Sequence, residues 1–387
     1  MRIGFDVSQT AEARAGCGVF QAEMLGGLAR VVEADASCTI VPMPVFSHYR
    51  HPEYRRAVGM ASERVDATLF RKTWAELNAA WDGPPPRAAR LGHVDLVHSN
   101  SFGCPRDLGV PLVYTVYDLS PLDHPEFHTE ANRLVCFEGL FDASLRADAF
   151  VAISAFTRDR FLHWFPHVEA ARVDVVGPAA RAAFTHPPVH ARSVLTRLGL
   201  EPGAFFLAVG TIEPRKNYRF IIEAYLQLLE VLPDAPPLCI AGQQGWLEDS
   251  PDEWVRGTRA ADRIRTLGFV PDEELAVLYR ETVAFVFASH YEGFGLPLVE
   301  ALACGAAVVA TSTATVPEVL GDAAYVVAPG DAGALAEALR RLVTDVDIRR
   351  GLAERAQARS AAFSWDAAAR HLLDVYRRVL EDGRTTA

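Results

Sequence analysis

The chain has 387 residues, half of them hydrophobic and 22% charged, the balance of a globular protein too long for one ordinary core. Its formal net charge of −11 speaks against a general nucleic-acid binder and against tight electrostatic docking to an anionic membrane. No apolar run approaches the roughly 18–20 residues that span a bilayer, and Cys17, Cys38, Cys104, Cys136, Cys239 and Cys304 show no metal-binding spacing, which fits small core residues in a reducing cytoplasm.

The opening segment MRIGFDVSQT is too short and too polar for a signal peptide and predicts a core strand over Arg2–Val7. Gly16-Cys17-Gly18 reads as a loop, followed by a helix from Val19 to about Val32. A G-x-G after a strand is part of a dinucleotide fingerprint, but Gln21 stands where the third glycine belongs and the loop is too long. Residues 37–46 predict a second strand, broken by Pro42 and Pro44. Between 50 and 90, Tyr54, Phe70, Trp74, Leu77 and Trp81 suggest an amphipathic helix pair ended by Pro84-Pro85-Pro86. Those aromatics either fill a core or, if exposed, stack on a sugar or touch lipid; the core is the simpler account. Strands follow over Val94–His98 and Leu112–Val116, the second running into Tyr117-Asp118-Leu119-Ser120-Pro121. Asp118 suits a turn-forming cap before Pro121 as well as a ligand contact. His124 and His128 invite a metal reading, but no further ligands stand at metal spacing. A strand over Ala149–Ile153 leads to a helix with Ser154 as N-cap, and Val173–Val176 is the last strand of the first half. Gly177-Pro178 and His186-Pro187-Pro188 mark a domain boundary.

The second half alternates strands and helices, which predicts a parallel, doubly wound sheet. Strands are expected over Ala204–Gly210, Leu238–Ala241, Ile264–Val270, Ala284–Ala288 and Ala307–Ala310. A helix over Asn217–Leu232 would bury Ile221, Ala224, Leu228 and Leu232. Another starts at Pro271-Asp272, and a last amphipathic helix spans Trp365–Leu380. Glu292-Gly293-Phe294-Gly295 turns sharply out of a strand, Leu296-Pro297 opens a helix and Gly305 closes it. Such a strand-to-helix turn is where phosphates bind in open α/β sheets. Glu292 alone would pass for a solvated loop acid, and Glu300 alone for a complement to the helix dipole.

The string E-G-F-G-L-P-x-x-E resembles the paired-glutamate motif of glycosyltransferase family 4, retaining sugar-nucleotide enzymes of GT-B fold. The resemblance continues through Gly305, Pro317-Glu318-Val319 and Gly321-Asp322, and upstream through Gly210-Thr211-Ile212-Glu213-Pro214-Arg215-Lys216-Asn217. It implies two Rossmann-like doubly wound domains with a cleft between them: residues 1–180 on the acceptor side, residues 181–364 binding the sugar nucleotide, and a helix in 365–387 folding back onto the first. It also implies the roles. Arg215 and Lys216 bind the diphosphate, beside Gly210 and Thr211. Backbone groups of Gly293, Phe294, Gly295 and Leu296 hold the phosphate and donor sugar. Glu300 holds the ribose, and Glu292 holds the sugar at the reacting face. Gly16 and Gly18 stand in the family's N-terminal glycine loop, without its arginine. Tyr117 replaces the family's usual histidine, and tyrosine cannot titrate near neutral pH, so Asp118 becomes the acceptor-side catalytic candidate.

No metal or other cofactor is expected: there is no DxD-type acidic pair at a strand end, and two cations would stabilise the leaving diphosphate instead. The branch resembled builds O-antigen and other surface polysaccharides. That points to GDP-mannose as donor, with a UDP- or dTDP-sugar as the alternative, and to a saccharide or lipid-linked saccharide as acceptor. The enzyme would be cytoplasmic, with peripheral contact at the inner membrane and no nucleic-acid partner. A sugar-nucleotide epimerase of the same fold and a non-catalytic nucleotide-sugar binder remain alternatives.

Overall fold

The structure is a computed structural model that describes residues 1–10, 16–44, 62–188 and 190–385. The chain forms two compact units, Met1–Pro178 with Ser364–Ala387, and Ala179–Phe363. The first holds strands β1 (Arg2–Asp6), β2 (Thr39–Met43), β3 (Leu96–Ser99), β4 (Leu112–Val116), β5 (Ala149–Ala152) and β6 (Val173–Val175). They make one six-stranded parallel sheet in the order β2-β1-β3-β4-β5-β6. The second holds β7 (Phe206–Val209), β8 (Leu238–Ala241), β9 (Ile264–Gly268), β10 (Ala284–Phe287), β11 (Val308–Thr311) and β12 (Ala324–Val327), ordered β12-β11-β10-β7-β8-β9 and again parallel. Strands β3, β4, β5, β8, β10 and β11 are fully buried; β5, β8 and β10 are short apolar runs, as suits strands covered on both faces, while β3, β4 and β11 also bury His98, Ser99, Thr115 and Thr311.

In each sheet the chain winds outward one way, returns to the middle and winds out the other way. The order therefore reverses between β1 and β3, and between β7 and β10. Ligands of open α/β sheets bind beyond the carboxyl ends of the strands at such a reversal.

Several local expectations change. The helix after β1 starts at Gly16 and runs to Val32, so both glycines lie in its first turn rather than in a loop. Pro42 sits inside β2 without breaking it, because β2 is an edge strand and tolerates a residue that cannot donate. In place of a long helix pair, a short turn over Ala67–Arg71 precedes the helix Trp74–Asp82, whose start is fixed by a Thr73/Glu76 capping box. Leu77 and Trp81 are buried there and Phe70 and Trp74 half-buried, so these side chains mainly pack; Tyr54 lies outside the described residues. Ser154 caps its helix, accepting from the Thr157 N–H at 3.0 Å.

The last helix, Trp365–Thr385, belongs to the first unit and lies against the helix Gly16–Val32. A Cβ at Gly27 would fall 2.8 Å from the Trp365 carbonyl, so the glycine permits this approach. Tyr376 reaches through to β3, where its hydroxyl meets His98 Nδ1 at 2.6 Å. Among the described residues no helix is long and apolar enough to cross a membrane, and no cluster of His, Cys, Asp and Glu is arranged to hold a metal.

Candidate active site

The second unit joins two segments that are far apart in sequence. Strands β7 and β10 pair in parallel, Ala284 against Phe206 and Phe285 against Leu207, at the reversal of strand order. The loops leaving these two strands therefore emerge side by side at the carboxyl edge. After β7 come Gly210, Thr211, Ile212 and Glu213, then a tight turn over Pro214–Lys216. After β10 come Ser289 to Gly295, then the helix Leu296–Cys304. Hydrogen bonds to main-chain carbonyls help join the segments: His290 N–H donates to the Arg215 carbonyl at 2.8 Å, and Asn217 Nδ2 donates to the Ala288 carbonyl at 3.3 Å.

Glu292 is the centre of this arrangement. Lys216 Nζ lies 2.6 Å from its Oε1, and Arg215 Nη1 lies 2.7 Å from its Oε2. Arg215 is held from behind by Glu213, at 2.6 Å, and donates to the Tyr291 carbonyl at 2.9 Å. Burial alone would push the Glu292 carboxyl up. The Arg215 and Lys216 charges overcome this and bring it down to about 2, so the group is an ion. It is not a solvated loop acid. Gly210 has φ +145° and its carbonyl accepts from the Tyr218 hydroxyl at 2.8 Å; Thr211 beside it is half-buried. Gly293, Phe294 and Gly295 are buried, Leu296 is half-buried, and Phe294 packs edge-on against Phe363.

Glu300 lies on the inner side of the helix Leu296–Cys304, only 3% exposed, and is likewise no mere complement to the helix dipole. Its partner is Arg181, which donates to Oε1 from Nε at 3.0 Å and from Nη2 at 2.7 Å. Burial acts to lower the Arg181 guanidinium, and the charges of Glu300 and Asp272 more than reverse it. Neither Arg181 nor Glu213 was singled out from the sequence as a site residue. Glu213 stands inside the G-T-I-E-P-R-K-N string, whereas Arg181 carries no local signal.

The first unit places its own candidates at the carboxyl edge of its sheet. Gly16 and Gly18 begin the helix after β1, Gly16 exposed and Gly18 buried. Tyr117 follows β4, is buried, and packs edge-on against Phe20 at 5.6 Å; burial pushes its phenol well above the ordinary range. Asp118 Oδ1 accepts from the Ser120 N–H at 3.1 Å and its hydroxyl at 2.8 Å, so it does form the turn cap. Ser120 Oγ in turn meets His128 Nε2 at 2.9 Å, and His124 pairs with Glu126. Asp6, not singled out from the sequence, lies fully buried at the reversal between β1 and β3 and accepts from Asn100 N–H and Ser8 N–H, both at 2.9 Å.

These features agree with what the chain is similar to. A family model described as Glycosyl transferases group 1 matches residues 197–359, and one described as Glycosyltransferase Family 4 matches residues 40–181. O-antigen chain mannosyltransferase B of Escherichia coli is 32% identical over 283 residues, covering 73% of this chain and 74% of that protein. Serotype-specific mannosyltransferase WbdA of Escherichia coli is 30% identical over 287 residues, 72% of this chain, which spans only 33% of that longer relative. Among solved structures, Anabaena Alr3699/HepE in complex with UDP-glucose superposes with a TM-score of 0.67 over 98% of this chain and 100% of its own, at 18% identity, a likeness of fold. Two parallel six-stranded sheets and family matches to both halves together show that the chain belongs to the family 4, group 1 glycosyltransferases and is a glycosyltransferase of GT-B fold.

Proposed function

We propose that the chain transfers mannose from GDP-mannose to a hydroxyl of a saccharide or lipid-linked saccharide, in the building of a bacterial surface polysaccharide. The observation that carries this reading is the buried cluster of Arg215, Lys216 and Glu292 at the reversal between β7 and β10. As the glycosidic bond breaks, charge collects on the diphosphate, and two fixed cations stabilise it there. Glu292 keeps both cations oriented and presents its carboxylate to the sugar. The backbone of Gly210, Thr211 and Gly293 to Leu296 holds the phosphates and sugar, and Glu300 accepts the ribose hydroxyls. Gly16 and Gly18 supply further backbone N–H groups, and Tyr117 and Asp118 serve the acceptor side.

The bond from the sugar's anomeric carbon to the leaving phosphate breaks. A bond to the acceptor oxygen forms on the same face, and the acceptor proton passes to the leaving phosphate, which retains the configuration. No metal takes part in this scheme. Mannose rests on the similarity to the Escherichia coli O-antigen mannosyltransferase. A UDP-hexose donor is the second reading, favoured by the fold neighbour solved with UDP-glucose. The enzyme works in the cytoplasm, peripherally at the inner membrane face.

Thermal unfolding in EDTA against GDP, UDP, dTDP and their common sugars tests the donor. A ligand specific to the folded state adds about 2.7 kcal/mol at a hundred times its dissociation constant. Stabilisation by GDP-mannose above the rest, followed by its transfer to acceptor saccharides in EDTA, is the expected result. Stabilisation by UDP sugars alone selects the second reading. A response to no nucleotide would overturn the proposal.

A further inference from the structure

We infer that Arg181 is a positioning residue for the ribose-binding carboxylate, clamping Glu300 so that it receives the nucleotide in one orientation. The inference rests on the reading of Glu300 as the ribose acceptor. Arg181 Nε and Nη2 both donate to Glu300 Oε1, at 3.0 and 2.7 Å, which fixes the carboxylate's rotation about its last torsion. The third nitrogen, Nη1, donates to Asp272 at the start of the helix Asp272–Glu281. The guanidinium lies 4.9 Å from the Phe184 ring centroid. One planar group is thus held by two carboxylates and an aromatic ring, with its side chain 17% exposed.

The chemistry requires arginine. A planar fork can spend two N–H groups on one oxygen and a third on a second acid, whereas a lysine ammonium is a point charge on a flexible stem. A carboxylate left in this buried place without its partner would change rotamer or take up a proton. In either case it would lose its geometry toward two vicinal hydroxyls. The clamp therefore acts on recognition of the ribose and leaves the diphosphate contacts of Arg215 and Lys216 untouched.

The test is a ligand-by-mutation cycle on the 387-residue chain. Dissociation constants are measured by calorimetry for GDP and UDP, and for the 2′-deoxy and 3′-deoxy forms of whichever binds more tightly. The proteins are wild type, Glu300→Gln, Arg181→Lys and Asp272→Asn. Loss of a hydroxyl bonded to an ion is expected to weaken wild-type binding about tenfold or more. Glu300→Gln should remove most of that discrimination. Arg181→Lys should remove it too, with the affinity for the deoxy nucleotides themselves changed less than about threefold. Asp272→Asn, at a partly exposed position, should reduce it to an intermediate value. If Arg181→Lys does not fold, Asp272→Asn decides alone. Discrimination that Glu300→Gln abolishes but the Arg181 and Asp272 variants keep in full would overturn the clamp. Discrimination absent from wild type, or undiminished in Glu300→Gln, would overturn the ribose reading and the clamp with it. Tighter binding in Arg181→Lys would show that Arg181 occupies the ribose site, and overturn the clamp.

Discussion

Lys216 and Glu292 are 76 positions apart in the chain, yet their side chains meet at 2.6 Å in a buried ion pair. The pair exists because β7 and β10 are neighbours in the sheet although β8, β9 and several helices separate them in sequence. Lys216→Ala should lower the turnover number about a hundredfold or more, the effect of losing one fixed charge-stabilising donor. It should remain folded, because Arg215 still pairs with Glu292. Glu292→Ala should abolish transfer and also cost stability, about 3–5 kcal/mol, since it leaves two cations facing an empty place. Initial rates and thermal melts on both variants check this; wild-type turnover in either would remove the pair from the mechanism.

The Glu292 ion also sets an acid limit. Its carboxyl is held at about 2 in the fold against an ordinary 4.5. A depressed acid stabilises the fold above its unfolded pKa and loses that contribution as pH falls through the folded one. Wild type should therefore lose about 3 kcal/mol between roughly pH 5 and 2 from this group. In Glu292→Gln that part of the slope should be missing, so its stability deficit relative to wild type should shrink steadily as pH falls. Urea unfolding across that range reads the difference directly, and parallel curves for the two proteins would contradict it.

A second titration belongs to the first unit. Burial pushes His98 down to about 3, so it stays neutral between the Tyr376 hydroxyl and Thr115 Oγ1, at 2.6 and 2.8 Å. An unfolded histidine takes a proton near pH 6.5, so this site favours the fold above that pH and loses its contribution as pH falls toward 3. Tyr376→Phe removes a partner from a buried ring nitrogen and should cost about 1–3 kcal/mol. Because the contact lies on the last helix, the same change should speed proteolysis within Trp365–Thr385. An unchanged melt and an unchanged cleavage rate would show that apolar packing alone docks the helix.

Two glycines shape the loops of the site. Gly295 has φ +93°, and a Cβ there would meet Leu298 Cδ1 at 3.0 Å. Gly295→Ala should cost about 1–2 kcal/mol through backbone strain and weaken nucleotide binding, because the turn carries the phosphate-facing amides. At Gly242 a Cβ would fall 1.8 Å from the Gly210 carbonyl oxygen, so alanine must push the end of β7 aside. Gly242→Ala should therefore lower donor affinity by displacing the backbone of Gly210 and Thr211, while leaving every candidate side chain unchanged. Calorimetry with the tightest-binding nucleotide distinguishes both variants from wild type.

Elements whose signals are local were legible in the sequence. The helix Leu296–Cys304 begins at a glycine, takes proline in its first turn and ends at Gly305 with φ +71°, each a matter of one residue's backbone preference. Strands β4 and β8 coincide with the expected ranges because a short apolar run between breakers has few alternatives. The expectation for Pro42 failed for the opposite reason. Whether a strand tolerates proline depends on its place in the sheet, and that place is not written in the strand itself.

By itself the sequence determined the alternation of strands and helices, the two glycine-bearing motifs and the identities of Arg215, Lys216, Glu292 and Glu300. Only the tertiary structure decided who partners whom. Parallel pairing of β7 with β10 set Glu292 between two cations, and the chain's course at the start of the second unit brought Arg181 onto Glu300 from 119 positions away. Local backbone preference acts over a few residues, whereas an ion pair needs only closeness in space, and the packing of sheets and helices supplies that closeness without regard to distance along the chain.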